Sequence, residues 1–241
     1  MAALVAQVVK PLVVGHRANS WRRIRRFLSI GVPVIEIDVV VENGEVFLKH
    51  ADETEIAIRR GDELGRLHEE GLAAVLTSRL FRRIKLVDVL SFLSGRADVL
   101  LDLKLPGMAE RVAEAVRLSG FRGRVYVSSK YHANIKLFKE LMPGVTGLIT
   151  LHDLPVDVVD EVRKSEADGV SINAAYVDKE VVDLLHREGF IVDVWTVNSP
   201  QLARVLASLG VDMITTDNPE AIMRVLGVGP TGPGSILLLG I

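Results

Sequence analysis

Short runs of β-branched and aliphatic residues alternate along the chain with longer segments whose apolar positions recur every three or four residues. The short runs predict strands at residues 12–15, 34–40, 99–103, 124–128, 145–150, 169–172, 191–197 and 213–216. The longer segments predict helices at 21–30, 87–93, 108–118, 134–141, 156–164, 179–188, 200–209 and 219–226. Eight strands alternating with eight helices, with Gly189 and Gly210 just past helix ends, predict a closed α/β fold, the (β/α)8 TIM barrel. An open doubly wound sheet fits less well, because the first strand runs into Gly15-His16-Arg17-Ala18 without the glycine fingerprint that cradles a pyrophosphate. One further strand is predicted at 45–50 after the Glu42-Asn43-Gly44 turn, folding back over the barrel mouth.

A length of 241 residues suits one such barrel, so the chain is read as a single domain over 1–241. Within it, 51–84 is a short, charged, cap-like insertion after the second strand, and 227–241 is a tail rich in Gly and Pro. The tail's apolar end, 236–241, is read as core packing, with self-association into a homo-oligomer as the alternative. A net charge of -2 argues against nucleic acid as a partner, and the basic run Arg22-Arg23-Ile24-Arg25-Arg26 reads as a solvated helix face. The absence of cysteine excludes disulfides and thiol catalysis. No run reaches membrane-spanning length and the N-terminus lacks the pattern of a signal peptide, so a cytoplasmic location is expected.

Barrel enzymes carry their chemistry at the C-terminal ends of strands, and polar residues collect there. His16 and Arg17 end the first strand, Glu36 and Asp38 lie late in the second, and Asp102 and Lys104 end the third. Asn173, then Trp195, Thr196 and Asn198, then Thr216 and Asp217 end the last three, while His50 ends the extra strand. Strand alternation turns Glu36 and Asp38 to one face, and two buried like charges are costly without a cation. A divalent metal held by oxygens, with an imidazole on either side of a bound phosphate, outlines a phosphodiester-cleaving site. The alternative is a solvated pair of carboxylates with incidental histidines. His68, His132, His152 and His186 are read as structural, although His132 and His152 follow strands and are placed to line the mouth.

The ordered set Gly15-His16-Arg17, Glu36-Ile37-Asp38-Val39, Asn43-Gly44 before His50, Trp195-Thr196-Val197-Asn198 and Thr215-Thr216-Asp217-Asn218-Pro219 resembles the glycerophosphodiester phosphodiesterase family, over nearly the whole chain. The resemblance implies hydrolysis of a small-molecule glycerophosphodiester to an alcohol and glycerol phosphate. It implies a divalent cation, magnesium or calcium with manganese as a further candidate, bound by Glu36, Asp38 and Asp102. It also implies His16 and His50 as the acid–base pair, with Arg17, Lys104 and Trp195 binding substrate. The nucleophile implied is the neighbouring glycerol hydroxyl, which forms a cyclic phosphate that water opens. Three positions depart from the family pattern. Asp102-Leu103-Lys104 stands where Glu-x-Lys is usual, the glutamate-bearing turn after His-Arg is replaced by Ala18-Asn19-Ser20, and Ala51 separates His50 from Asp52. The missing turn glutamate and the shorter Asp102 support an alternative in which the barrel has lost turnover and serves as a phosphate-ligand binding module. A sugar-phosphate isomerase or lyase is disfavoured by Asn198-Ser199-Pro200 and Asp217-Asn218-Pro219, which supply no glycine cradle for phosphate.

Overall fold

The computed structural model describes residues 10–50 and 83–229. Its strands are β1 (Leu12–Gly15), β2 (Val34–Glu42), β3 (Glu45–Leu48), β4 (Asp98–Leu103), β5 (Val125–Ser129), β6 (Thr146–Leu151), β7 (Gly169–Asn173), β8 (Ile191–Trp195) and β9 (Met213–Thr216). The helices are α1 (Trp21–Ser29), α2 (Leu86–Leu93), α3 (Ala109–Ser119), α4 (His132–Leu141), α5 (Val158–Lys164), α6 (Lys179–Arg187), α7 (Pro200–Leu209) and α8 (Pro219–Leu226). Eight strands pair in parallel in the ring β1-β2-β4-β5-β6-β7-β8-β9, which closes where β9 meets β1. The expected (β/α)8 barrel is therefore the observed fold.

The predicted extra strand is β3, antiparallel to β2 on the outside of the ring. Asn43 and Gly44 turn the hairpin with φ of 51° and 80°, the left-handed pair of a two-residue turn. Pairing with β3 extends β2 to Glu42, beyond the predicted end at 40. In contrast, the strand predicted over 191–197 stops at Trp195, and the Val197 N–H donates to the Thr215 carbonyl at 2.9 Å as the chain leaves the sheet. Helix starts follow their caps: Ser20, Asp157, Asp178 and Ser199 each accept a backbone N–H, and Asp157 moves the start of α5 to Val158. The assigned insertion lies outside the described residues except for 83 and 84, as does the tail beyond 229. Asp52 and His68 fall in the same undescribed stretch.

The period of two along each strand divides the barrel into two apolar shells. Val14, Val34, Leu100, Tyr126, Leu148 and Met213 point inward and plug the floor. Alternate residues such as Ile35, Leu101, Val127, Ile149 and Val192 face outward and meet helix side chains such as Ile24, Phe27, Ile135 and Phe138. Gly15 permits the closest of these approaches, because a β-carbon there would stand 2.5 Å from the Phe27 ring. With the floor filled, inward residues nearer the C-terminal strand ends are the ones that reach ligand. Among the described residues no helix is long and apolar enough to cross a membrane.

Phe138 on α4 is fully buried, whereas Leu118 on α3 is 72% exposed. Phe138→Ala is expected to destabilise the fold by about 3–5 kcal/mol through lost transfer energy and a cavity, and Leu118→Ala by less than about 0.5 kcal/mol. Urea denaturation of the two variants checks this.

Candidate active site

Glu36 and Asp38 stand two residues apart on β2, and the β2–β4 register sets Asp38 directly beside Asp102. Pleating and register together bring oxygens of all three carboxylates within 4.8 Å of one another. Asp38 is wholly buried. Its Oδ2 accepts from Asn19 Nδ2 at 2.5 Å and faces His50 Nδ1 at 3.2 Å. Its Oδ1 lies 2.6 Å from Lys104 Nζ, a charge contact outside hydrogen-bond alignment. Burial works against the Asp38 anion, but the His50 contact, the Lys104 charge and the Asn19 amide together hold the carboxyl below the usual carboxylate range.

Glu36 has fewer compensations. Burial, then the charge of Asp38, push its carboxyl well above the usual range, only partly offset by Lys104 and by the Arg17 N–H that donates to Oε2. Arg17 adopts φ of 53°, a left-handed conformation rare for arginine. That conformation directs its N–H at Glu36 while the residue itself lines the pocket. The Lys104 ammonium bridges Asp38 and Asp102. Burial lowers the Lys104 pKa, but the charges of Asp102, Asp38 and Glu36 outweigh it and hold the ammonium well above its usual value. Lys104 thus pairs with both Asp38 and Asp102.

His16 sits at the end of β1 with Nδ1 3.0 Å from Asp217 Oδ1. Burial lowers its pKa, opposed by the Asp217 charge and hydrogen bond. Asp217 is itself held by Asn198 Nδ2 at 2.9 Å and Arg23 at 3.1 Å. His50 follows β3 and meets Asp38 through Nδ1. Both imidazoles therefore have Nδ1 on a carboxylate, which leaves Nε2 as the ring nitrogen free to take or give a proton.

His16, Arg17, Glu36, His50, Asp102, Lys104 and Trp195 line one cavity of about 290 Å³, and Asp38 lies behind it as the partner of His50 and Lys104. The Trp195 indole is fixed by its N–H, which donates to the Ser171 carbonyl at 2.8 Å. His152 also lines this cavity, whereas His132 opens α4 with its ring 3.9 Å from Glu161, and His186 pairs with Asp212 at 2.9 Å. Asn173 caps the short turn Ala174–Tyr176 through the Ala175 N–H instead of lining the cavity.

A sequence model of the glycerophosphoryl diester phosphodiesterase family matches residues 100–221. A glycerophosphodiester phosphodiesterase of Bacillus altitudinis is 30% identical over 235 residues, covering 86% of this chain and 91% of that protein. The chain belongs to the glycerophosphodiester phosphodiesterase family. Among solved structures, one from Silicibacter pomeroyi superposes with a TM-score of 0.73 at 21% identity, covering 92% of this chain and 96% of that one. An Oleispira antarctica phosphodiesterase in complex with the product sn-glycerol-3-phosphate superposes with a TM-score of 0.71 at 19% identity, covering 90% and 97%. The family match contains Asp102, Lys104 and Trp195, while His16, Arg17, Glu36, Asp38 and His50 precede it.

The donor set suits the divalent cation of such an enzyme. Three carboxylates face one ammonium, and Glu36 is a buried acid short of positive charge. All-oxygen ligation of this kind favours a hard cation. The structure gives roles to three residues to which sequence reasoning assigned none: Asn19, Asn198 and Asp217 touch the side chains of the site and orient them. Asn198 and Asp217 stood in the quoted motifs, so the signal was present. Their roles required knowing that the chain ends after β8 and β9 meet over β1.

Beneath Trp195, Asp193 on β8 accepts hydroxyl hydrogen bonds from Ser171 at 2.6 Å and Thr215 at 2.9 Å. Complete burial raises its pKa from 3.8 to about 6 in spite of them. A raised carboxyl pKa favours the folded state while the group is protonated, so this contribution is lost as pH rises from 3.8 to about 6. Asp193→Asn removes that titration while hydroxyl rotation keeps both contacts. Relative to wild type, the variant is expected to gain about 2 kcal/mol in stability between pH 4.5 and 7.5. Urea denaturation of both proteins at the two pH values checks it.

Proposed function

We propose that the protein hydrolyses glycerophosphodiesters to an alcohol and glycerol phosphate in a divalent-cation-dependent reaction, with His16 and His50 as the acid–base pair. The observation that carries this reading is the pairing of each imidazole Nδ1 with a carboxylate, His16 with Asp217 and His50 with Asp38 of the Glu36, Asp38 and Asp102 cluster. Sn-glycerol-3-phosphate, the product bound by the Oleispira antarctica phosphodiesterase, belongs to the product class this reaction yields.

Arg17 and Lys104 bind the phosphate oxygens and offset charge that develops on them. Glu36, Asp38 and Asp102 hold the cation, calcium or magnesium or alternatively manganese, which when bound supplies Lewis-acid stabilisation of the same charge. His16, kept neutral by burial, takes the proton from the glycerol hydroxyl next to the phosphate. The hydroxyl oxygen bonds to phosphorus, the phosphorus–oxygen bond to the alcohol breaks, and His50 Nε2 gives the departing oxygen its proton. Water then opens the cyclic phosphate with the imidazoles in reversed roles. Trp195 lays an apolar face against substrate carbons.

Release of glycerol phosphate from glycerophosphodiesters is expected to cease with chelator, to return with calcium, magnesium or manganese, and to fall about 100-fold or more in His16→Ala. Binding of the diester without release under any metal would instead favour the phosphate-ligand binding module. Asp217→Asn removes an influence that raises the His16 pKa. The acidic limb of kcat/KM is therefore expected to move to lower pH in that variant, together with a lower rate from the lost orientation; a pH–rate profile checks both.

A further inference from the structure

The proposed reaction leaves unused a row of hydroxyls in the cavity wall. Thr150, Ser171 and Asp193 pair in register across β6, β7 and β8, so their side chains share one face, and all three line the cavity with Thr215 of β9. Ser171 and Thr215 are buried and give their hydroxyl hydrogens to the Asp193 carboxylate at 2.6 and 2.9 Å. Thr150 Oγ1 is buried and has no hydrogen-bond partner among the described residues. We propose that Thr150, Ser171 and Thr215 form a subsite for the free terminal hydroxyl of the substrate's glycerol arm, with Asp193 as the residue that positions it. This rests on the phosphodiesterase reading above, with His16 as the base, and deepens it by naming what recognises glycerol.

The direction of the hydrogens decides what this wall accepts. Asp193, with a pKa of about 6, is ionised at neutral pH and can only accept. A hydroxyl has one hydrogen, so Ser171 and Thr215 spend theirs on Asp193 and keep oxygen lone pairs to accept with. Thr150 keeps a hydrogen to donate. A ligand hydroxyl both donates and accepts, so one seated here satisfies the buried Thr150 and gives its own hydrogen to Ser171 or Thr215. A quaternary ammonium has no hydrogen to give, and a methyl group in the same place leaves Thr150 unpaired. Ring order assigns the arm. Strands β1, β9, β8 and β7 are consecutive, and Thr215 pairs with Val14, two residues before His16. His16 takes the proton from the glycerol hydroxyl next to the phosphate, so glycerol lies on the side of the ring where these hydroxyls stand. His50, which gives the leaving alcohol its proton, follows β3, which pairs with β2 on the other side of β1.

The test compares glycerophosphocholine with the analogue in which propane-1,2-diol replaces glycerol, which keeps the attacking hydroxyl and lacks the terminal one. Wild type is expected to show a kcat/KM about tenfold or more higher for the glycerol substrate, the effect of leaving a buried polar group unpaired. Thr150→Val should bring the ratio of the two substrates to about twofold or less while the propanediol substrate changes less than about twofold, and Thr150→Ser should restore the ratio. Asp193→Asn should also lower the ratio, because its amide donates to one of the two hydroxyls and turns that hydrogen toward the cavity. A second pair of glycerol phosphate diesters, with propane-1,3-diol or propan-1-ol as the leaving arm, is expected to react at rates within about twofold. Equal kcat/KM for the glycerol and propanediol substrates, discrimination confined to the leaving arm, or an equal loss on both substrates in Thr150→Val would overturn the subsite while leaving the phosphodiesterase reading intact. If no diester is hydrolysed with any metal, that reading fails, and calorimetry with glycerol phosphate and propane-1,2-diol phosphate decides the subsite separately. Tighter binding of glycerol phosphate that is lost in Thr150→Val supports it, and equal or absent binding overturns it.

Discussion

Repulsion among three carboxylates held close together at the mouth of an otherwise apolar barrel is the constraint that organises this site. Glu36 and Asp38 share a face because they are two residues apart on β2, and Asp102 joins them because β4 pairs in register with β2. Such a group is unfavourable in a buried wall unless positive charge and hydrogen-bond donors are brought to it. Lys104, Asn19, His50 and the Arg17 N–H all converge on these oxygens. The left-handed backbone at Arg17 follows from the same demand, since it turns an amide toward the least compensated of the three acids.

The apolar shells make that concentration of charge possible. Floor residues such as Val14, Leu100 and Leu148 close the barrel beneath the site, and the outward-facing residues lock the strands to their helices. A rigid wall fixes the distance between side chains that need to act together. It also keeps the two imidazoles apart: His16 is tied through Asp217 to the β9 side and His50 through Asp38 to the β2 side. Asp217 in turn depends on Asn198 after β8 and Arg23 on α1, so three separate segments meet to orient one ring.

The polar tier above the floor continues around the ring. Ser128, Thr150, Ser171, Asp193 and Thr215 line the cavity together with Glu36 and Asp102, and Lys130, His152 and Trp195 each follow one of these residues by two positions.

Alternating periods of apolar residues determined the barrel by themselves, because a strand buried between floor and helices has to read as β-branched and a covering helix has to repeat every three to four residues. Turn chemistry was equally local: Asn43-Gly44 specified the hairpin, and Asp157 and Ser199 the helix starts. The candidate residues His16, Arg17, Glu36, Asp38, His50, Asp102, Lys104 and Trp195 were legible as motifs at strand ends, where barrel geometry makes polarity meaningful. Their partnerships were not. That Lys104 bridges Asp38 and Asp102, that Asp217 orients His16 and that His152 joins the mouth while His132 does not were decided by register, ring closure and the direction of each side chain. Such contacts link residues as far as 201 positions apart, a relation that no local pattern of amino acids encodes.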